Sequence, residues 1–256
     1  MPALIELAHA RDIPVALDAA WGGHFGFHPA LPAHAFQLGA DALITSTHKA
    51  LPGYSASALL LARTKYLSAE RLEQSFETTH TTSPAGAPLA SIDGVRALLQ
   101  TRGEELIGAL LENINHCKAQ IQAEFTLPIF LNTSDFPGQR FDPTKMVLRV
   151  QQLGASGIEI EADLQAKGIR VEMADRDTIV FLATMADSKE DFNYLSQSLI
   201  PILKKHQREP RSSATALSWS ITPQRATSMR EAYFAETEMV AAASAIGRIS
   251  ADLIAP

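Results

Sequence analysis

The chain has 256 residues, of which 46% are hydrophobic and 20% charged, and carries a formal net charge of −6. That length can bury a sizeable core and suits one α/β domain or one and a half. No apolar run approaches the ~20 residues that span a bilayer, no basic-then-apolar leader opens the chain, and basic residues scattered through a mildly acidic protein argue against nucleic acid as a partner.

In chain order, an amphipathic helix is predicted over Ala3 to Arg11, followed by an apolar strand, IPVALDAA, that carries an acid, Asp18, at its carboxyl end. A Gly-rich connection, WGGHFGFHP, leads to a short helix in PALPAHAFQLGA and a second strand, DALITS. That strand runs into STHK, two hydroxyls, an imidazole and an amine, before Pro52 and Gly53 stop it; a third strand, SASALLLAR, follows. Short apolar runs alternating with helices predict a mostly parallel sheet covered on both faces. After Arg71 the polar stretch ETTHTTSPAGAP reads as a loop, and a Leu- and Ile-periodic helix is expected from Leu89 to Glu124, interrupted near Thr101-Arg-Gly.

From Phe141 the rhythm changes: strand KMVLRVQQ, helix SGIEIEADLQAKG, strands IRVEMAD and DTIVFLAT, and a closing helix SKEDFNYLSQSLIPILKKH. Gly168 suits the left-handed position past a helix end and Ser188 an N-cap. This β-α-β-β-α order predicts a small α+β domain, with residues 1–125 forming one domain with its linking helix and 126–256 the other. A polar linker, QREPRSSATALSWS, and a last helix from Ser228 to Ala243 complete the chain. The single Cys117 cannot form an internal disulfide, in keeping with a reducing compartment, so a cytoplasmic location is expected.

Asp18 and Lys49 stand 31 residues apart, one strand-helix-strand unit, each at the carboxyl end of a strand. In open α/β sheets such ends border the ligand crevice. An ionised carboxylate and an amine able to attack a carbonyl are the pair a pyridoxal phosphate enzyme needs: the acid holds the proton on the pyridine nitrogen and the lysine bonds the aldehyde carbon. Ser46, Thr47 and His48 can donate hydrogen bonds to a phosphate. His24, His28 and His34 lack the partners of a metal motif and are expected to be loop histidines, with no metal site. No nucleophile elbow surrounds Ser46, and Asp41 and Asp142 suit caps of turns or helices.

The run LDAAWGGHFGFHPALPAHAFQLGADALITSTHKALPG resembles the Orn/Lys/Arg decarboxylase family of fold type I pyridoxal phosphate enzymes. The matching motifs are Asp18-Ala-Ala20-Trp21, Gly39-Ala-Asp41 and Ser46-Thr-His48-Lys49, with HTTSPAGAPLASIDGVRALL and the C-terminal stretches DPTKMVL, GIRVEMADRDTIVFLAT and REAYFAETEMVAAASAIGRISADLIAP in the same order. The resemblance implies an incomplete fold type I large domain and a small C-terminal domain. Lys49 would carry the cofactor and Asp18 face its ring nitrogen. Ala20 would pack under the ring with Trp21 beside it, and Ser46 would bind phosphate. His48 would touch phosphate or substrate and aid proton transfer, and Thr82 and Ser83 would reach the cofactor of a neighbouring subunit in a homodimer. It further implies decarboxylation of lysine, ornithine or arginine, with no nucleic acid or membrane partner. Ala19, where many relatives have an acid, and SPAGAPLAS after the Thr-Ser-Pro bear on substrate choice. The family's phosphate-binding turn has no counterpart before Ala3, so the chain is expected to be a fragment of a longer enzyme; a non-catalytic remnant and another fold type I reaction stay open as alternatives.

Overall fold

A computed structural model describes residues 1–63, 65–138, 140–212 and 224–250. The chain forms two compact units, Met1–Ser213 and Ala214–Pro256. The first begins with α1 (Pro2–His9), β1 (Ala16–Asp18), β2 (Ala42–Ser46), β3 (Ala58–Ala62), α2 (Ala69–Thr79) and α3 (Gly86–Gln122). It continues with β4 (Lys145–Arg149), α4 (Gly157–Gln165), β5 (Met173–Ala174), β6 (Thr178–Leu182) and α5 (Lys189–His206). In the second unit, α6 (Met229–Phe234) is the described α-helix.

The first sheet has the order β1-β2-β3. β1 and β2 are parallel, with Ala16 opposite Ala42 and Asp18 opposite Ile44, whereas β3 returns antiparallel to β2. The predicted parallel pairing thus lies between β1 and β2. β1 is shorter than IPVALDAA suggested, because it is an edge strand and Pro14 brings no N–H to a ladder. Cover on both faces is not found: Ile44 is 43% exposed, Leu60 48% and Leu61 37%. At its entry, α1 is tied to the sheet by His9 Nε2, 2.7 Å from Asp41 Oδ2, which also accepts the Val15 N–H at 2.8 Å. Burial works against the Asp41 charge, but these hydrogen bonds hold its carboxyl below the usual range.

The predicted helix in PALPAHAFQLGA is absent. Pro29 and Pro32 cannot donate helical hydrogen bonds, and His34 to Ala40 instead form successive turns that end at Gly39, whose φ of +98° suits glycine. The stretch after Arg71 is not all loop. Ser68 accepts the Arg71 N–H at 3.3 Å and starts α2, which absorbs Glu77 to Thr79.

Nor is the long helix interrupted at Thr101-Arg-Gly. α3 runs unbroken for 37 residues, about 55 Å. Its buried residues, Val95, Leu99, Gly103, Ile107, Leu110, Leu111, Ile114, Cys117 and Ile121, follow a three-and-four spacing and form one stripe. Gly103 belongs to that stripe and is buried against Phe27, and the helix continues through it. The stripe packs on α5, and one hydrophobic cluster continues from Leu31 and Leu51 through α3 into Met146, Leu148, Ile160, Ile179 and Leu203. A smaller cluster, Ala35, Ala40 and Leu43, packs with Leu17 and Phe36 beside the first sheet. Burial pushes the Cys117 thiol up to about 12.

The predicted β-α-β-β-α order is found from β4 to α5, with the antiparallel sheet order β4-β6-β5. After α4, the Ile169 N–H bonds to Leu164 O and the Gly168 N–H to Gln165 O, with Gly168 at φ +76°; this is the left-handed helix end expected there. α5 opens with a reciprocal capping box between Ser188 and Asp191 and closes on Lys204, Lys205 and His206, which favour the negative end of the helix. α6 stops at Phe234, short of the predicted Ala243. Ser228 caps its start, but Tyr233 and Phe234 are exposed, and so short a helix gains little without a packed face. Residues 213–223 of the predicted linker region lie outside those described.

The stripe on α3 generates a stability prediction. Ile114, 1% exposed, when replaced by Ala should cost about 2–5 kcal/mol, read as a lower urea midpoint with an unchanged slope. An equivalent change at exposed Leu89 should cost little.

Candidate active site

The parallel pairing brings the carboxyl ends of β1 and β2 side by side. Beyond Asp18, the Ala19 N–H donates to Ile44 O at 2.8 Å, and the Thr45 hydroxyl donates to Ala19 O at 2.9 Å. The turn that follows presses on the end of β2. A Cβ on Gly23 would stand 2.8 Å from Leu51 Cδ1, 3.0 Å from Ser46 O and 3.1 Å from Thr45 Oγ1, so glycine at this position is set by the approach. Asp18 itself is exposed; its Oδ1 accepts the Ala20 N–H at 3.0 Å, and among the described residues no cation pairs with it. It lines a cavity of about 990 Å³ together with Leu17, Ala19, Gly22, Phe25 and Glu104.

The loop that carries Lys49 is closed by its own polar groups. The Thr47 N–H donates to Ser57 O at 3.1 Å, and the Gly53 N–H donates back to Thr47 O at 2.7 Å. The Ser57 hydroxyl donates to Tyr54 O at 2.6 Å, so in the 2.5 Å contact between the two hydroxyls it is Thr47 that donates. Thr47 is therefore occupied within the loop, and the expectation that it serves a phosphate is corrected. A Cβ on Gly53 would stand 2.3 Å from Thr47 O. Ala56 is held at φ +63°, a left-handed conformation that costs a residue with a Cβ about 1–2 kcal/mol. The Tyr54 N–H donates to Ser91 Oγ of α3 at 3.1 Å and fixes the loop to the long helix.

Of the four polar residues in STHK, three are left with a free function. His48 Nδ1 lies 2.7 Å from Ser57 O; a carbonyl only accepts, so Nδ1 carries the hydrogen and Nε2 is the nitrogen open to other groups. Ser46 is buried and its hydroxyl has no partner among the described residues, whereas Lys49 is exposed and in no ion pair there. Ala20 and Trp21 are half-buried beside Asp18. Ser46, His48 and Lys49 do not line the cavity that Asp18 faces. Thr82 and Ser83 sit on the exposed connection between α2 and α3, and no described contact joins them to the strand ends. His28 and His34 line the Asp18 cavity.

One cluster was not anticipated. His24, 3% exposed, places Nε2 3.2 Å from Thr144 Oγ1 and 3.6 Å from Asp142 Oδ1. Lys145 Nζ lies 2.8 Å from Asp142 Oδ2 and 3.1 Å from Thr144 Oγ1, and 5.8 Å from the Trp21 ring centroid. Burial opposes the Asp142 charge, but His24 at 3.6 Å and the Lys145 ammonium outweigh it and hold the carboxyl well below the usual range. Asp142 does cap a turn, accepting the Thr144 N–H at 3.0 Å, and is also the anion of this cluster. The sole local signal was Asp-Pro-Thr-Lys before an apolar strand; its partner lies 120 residues away, beyond any sequence period.

The profile of the family described as Orn/Lys/Arg decarboxylase, major domain, matches residues 2–191. The chain belongs to the Orn/Lys/Arg decarboxylase family. It is 34% identical to an arginine decarboxylase of Halalkalibacterium halodurans, over 98% of this chain and 52% of that protein. It is 32% identical to an arginine decarboxylase of Bacillus subtilis, over 99% of this chain and 53% of that one. The decarboxylase-family chain thus spans about half the length of the curated relatives it matches. Among solved structures it resembles lysine decarboxylase A from Pseudomonas aeruginosa, with a TM-score of 0.61 at 18% identity, over 75% of this chain and 33% of the other. It also resembles the ureidoglycine-glyoxylate aminotransferase of Bacillus subtilis, with a TM-score of 0.59 at 18% identity, over 80% and 56%. The expected fold type I architecture, of mixed α/β structure, is thereby shown over the part of those folds that this chain spans.

The donor chemistry at the two strand ends fits pyridoxal phosphate. Among the described residues, a carboxylate and a primary amine in no ion pair, a hydroxyl without a partner and an imidazole nitrogen stand on adjacent strand ends or the loop after them, and the glycine turn leaves no Cβ between those ends.

The buried ion cluster generates a pH prediction. Because the folded-state value of Asp142 is depressed, its contribution to stability is complete above the ordinary aspartate value near ~4 and is lost as pH falls below it. Asp142→Asn, which leaves the Lys145 ammonium buried without its anion, should cost about 3–5 kcal/mol at neutral pH. Urea titrations should show the gap to wild type narrowing as the solution is made acid.

Proposed function

We propose that this chain carries the lysine-bearing part of a pyridoxal phosphate-dependent decarboxylase acting on a basic amino acid in the cytoplasm, to give a polyamine precursor and carbon dioxide. The observation that carries the reading is the hydrogen-bonded pairing of the Asp18 strand with the strand that leads to Lys49, in a member of this family. Arginine ranks first among arginine, lysine and ornithine, because relatives 34% and 32% identical are arginine decarboxylases. We also propose that residues 1–125 are the C-terminal part of the large domain with its linking helix, and residues 126–256 the small domain and trailing segment.

Lys49 Nζ, exposed and free of a carboxylate partner among the described residues, would be the amine that holds the cofactor. Asp18 accepts a hydrogen bond from Ala20 through Oδ1 alone, which leaves Oδ2 to hold a proton on a ring nitrogen. Ala20 and Trp21 would flank that position, and Ser46 would donate to a phosphate oxygen. His48 Nε2, with Nδ1 fixed on Ser57 O, can take up a proton and return it, as a phosphate donor when protonated and as a proton carrier toward substrate. Pyridoxal phosphate, when bound, supplies the electron sink that lets the α-carboxylate depart. Thr82 and Ser83, exposed on their connection, would serve a second subunit, in a functional assembly that is a homodimer or larger homo-oligomer. Among the described residues no helix is long and apolar enough to cross a membrane.

The test is covalent. After incubation with pyridoxal phosphate, borohydride reduction and digestion, mass spectrometry should find the pyridoxyl adduct on Lys49 and lose it in Lys49→Ala. An adduct spread evenly over the other lysines would remove the basis of the reading. With labelled arginine, lysine and ornithine, carbon dioxide release should fall at least about 10³-fold in Lys49→Ala.

A further inference from the structure

We propose that Lys145 is a positioning residue for Trp21: its ammonium, held by Asp142 and Thr144 at the start of β4, fixes the indole beside the Asp18 strand end. The inference deepens the functional reading and rests on it for its consequence, the placement of the cofactor ring.

The hydrogen-bond directions in the cluster are determined. The Asp142 carboxylate only accepts, so the Thr144 hydroxyl donates to its Oδ1 at 2.8 Å. The lone pairs of Thr144 Oγ1 are then left for two donors, Lys145 Nζ at 3.1 Å and His24 Nε2 at 3.2 Å. His24 therefore carries its hydrogen on Nε2, and its Nδ1 is a buried nitrogen with no partner among the described residues. Lys145, 7% exposed, cannot swing to solvent without leaving Asp142 unpaired in the interior, which a buried carboxylate resists. The ammonium is thus held at 5.8 Å from the indole centroid, within the ~6 Å range over which a ring face attracts a cation.

Trp21 stands in a turn that is fixed at both ends. Gly23 abuts the end of β2 at Ser46 O and Leu51, and His24 reaches the turn before β4. Between these points the indole is half-buried, and the Lys145 charge is the contact that selects its ring orientation. Asp142, Thr144 and His24 act through Lys145 and the turn, and none of them needs to touch a ligand.

The experiment uses the whole chain with Trp219→Phe, which leaves Trp21 as its one indole. Lys145→Met keeps the apolar stem and removes the charge; Lys145→Arg restores a cation. Expected for Lys145→Met are a shifted Trp21 emission, easier acrylamide quenching and about tenfold weaker pyridoxal phosphate binding, with Lys145→Arg returning both readouts toward wild type. In a Trp21→Phe background, Lys145→Met should weaken the cofactor no further. Unchanged Trp21 emission in a folded Lys145→Met chain overturns the proposal, as does an equal loss of cofactor affinity with and without Trp21. If Lys145→Met fails to fold, Lys145→Gln replaces it under the same criteria. Wild-type chain that takes up no pyridoxal phosphate would sink the functional reading, and the emission readout would still decide whether Lys145 fixes the indole.

Discussion

Much of the site depends on one close approach, the backbone of the turn after β1 against the end of β2 at Gly23. A side chain there would meet Leu51, Ser46 O and Thr45 Oγ1. The contact brings the segment beyond Asp18 onto the strand that delivers Ser46, His48 and Lys49, and the Thr45 hydroxyl bond to Ala19 O reinforces it. Parallel strands alone set only the spacing of their ends, a little under 5 Å between neighbours. The glycine turn converts that spacing into a shared junction. From it, His24 leads to Thr144 and Asp142 at the head of β4, so the geometry around Asp18 is coupled to the second sheet.

The long helix is the element on which these parts are assembled. Its stripe buries against α5, and at its other end Ser91 anchors the Lys49 loop through Tyr54. The loop itself is held in a conformation that Ala56 adopts at some cost. Such a conformation persists when surrounding contacts over-determine it, and the Thr47, Ser57 and Gly53 bonds supply them. The polar composition of STHK thus has two origins: Thr47 builds the loop, and Ser46, His48 and Lys49 are presented by it.

The legible parts of the fold were those governed by local chemistry. Ser188 with Asp191, the left-handed Gly168 and the β-α-β-β-α order follow from caps, turns and periodicity within about twenty residues. The acid and amine at strand ends were legible for the same reason, since an ionisable group ending an apolar run is unusual wherever the run is buried. What was not legible required partners distant in sequence. Gly103 looked like a helix break because its neighbour Phe27 cannot be seen from the helix; the prolines at 29 and 32 were weighed too lightly against apolar spacing. The direction of β3 was set by hydrogen bonds to β2, which leave no mark in its own composition. The His24, Asp142 and Lys145 cluster joins residues from opposite ends of the first unit, and each alone looks like an ordinary loop or strand residue.

Cys117 sits near the C-terminal end of the α3 stripe, fully buried, with its thiol pushed up to about 12 by burial. Since the thiolate is the reactive form, the folded chain offers oxidants and alkylating reagents almost nothing to attack. Any modification of this sulfur must wait until α3 lifts away from its neighbours. The residue is consequently a built-in reporter of local opening along the helix, and its labelling rate would track how often the last turns of α3 breathe rather than the state of the strand-end chemistry.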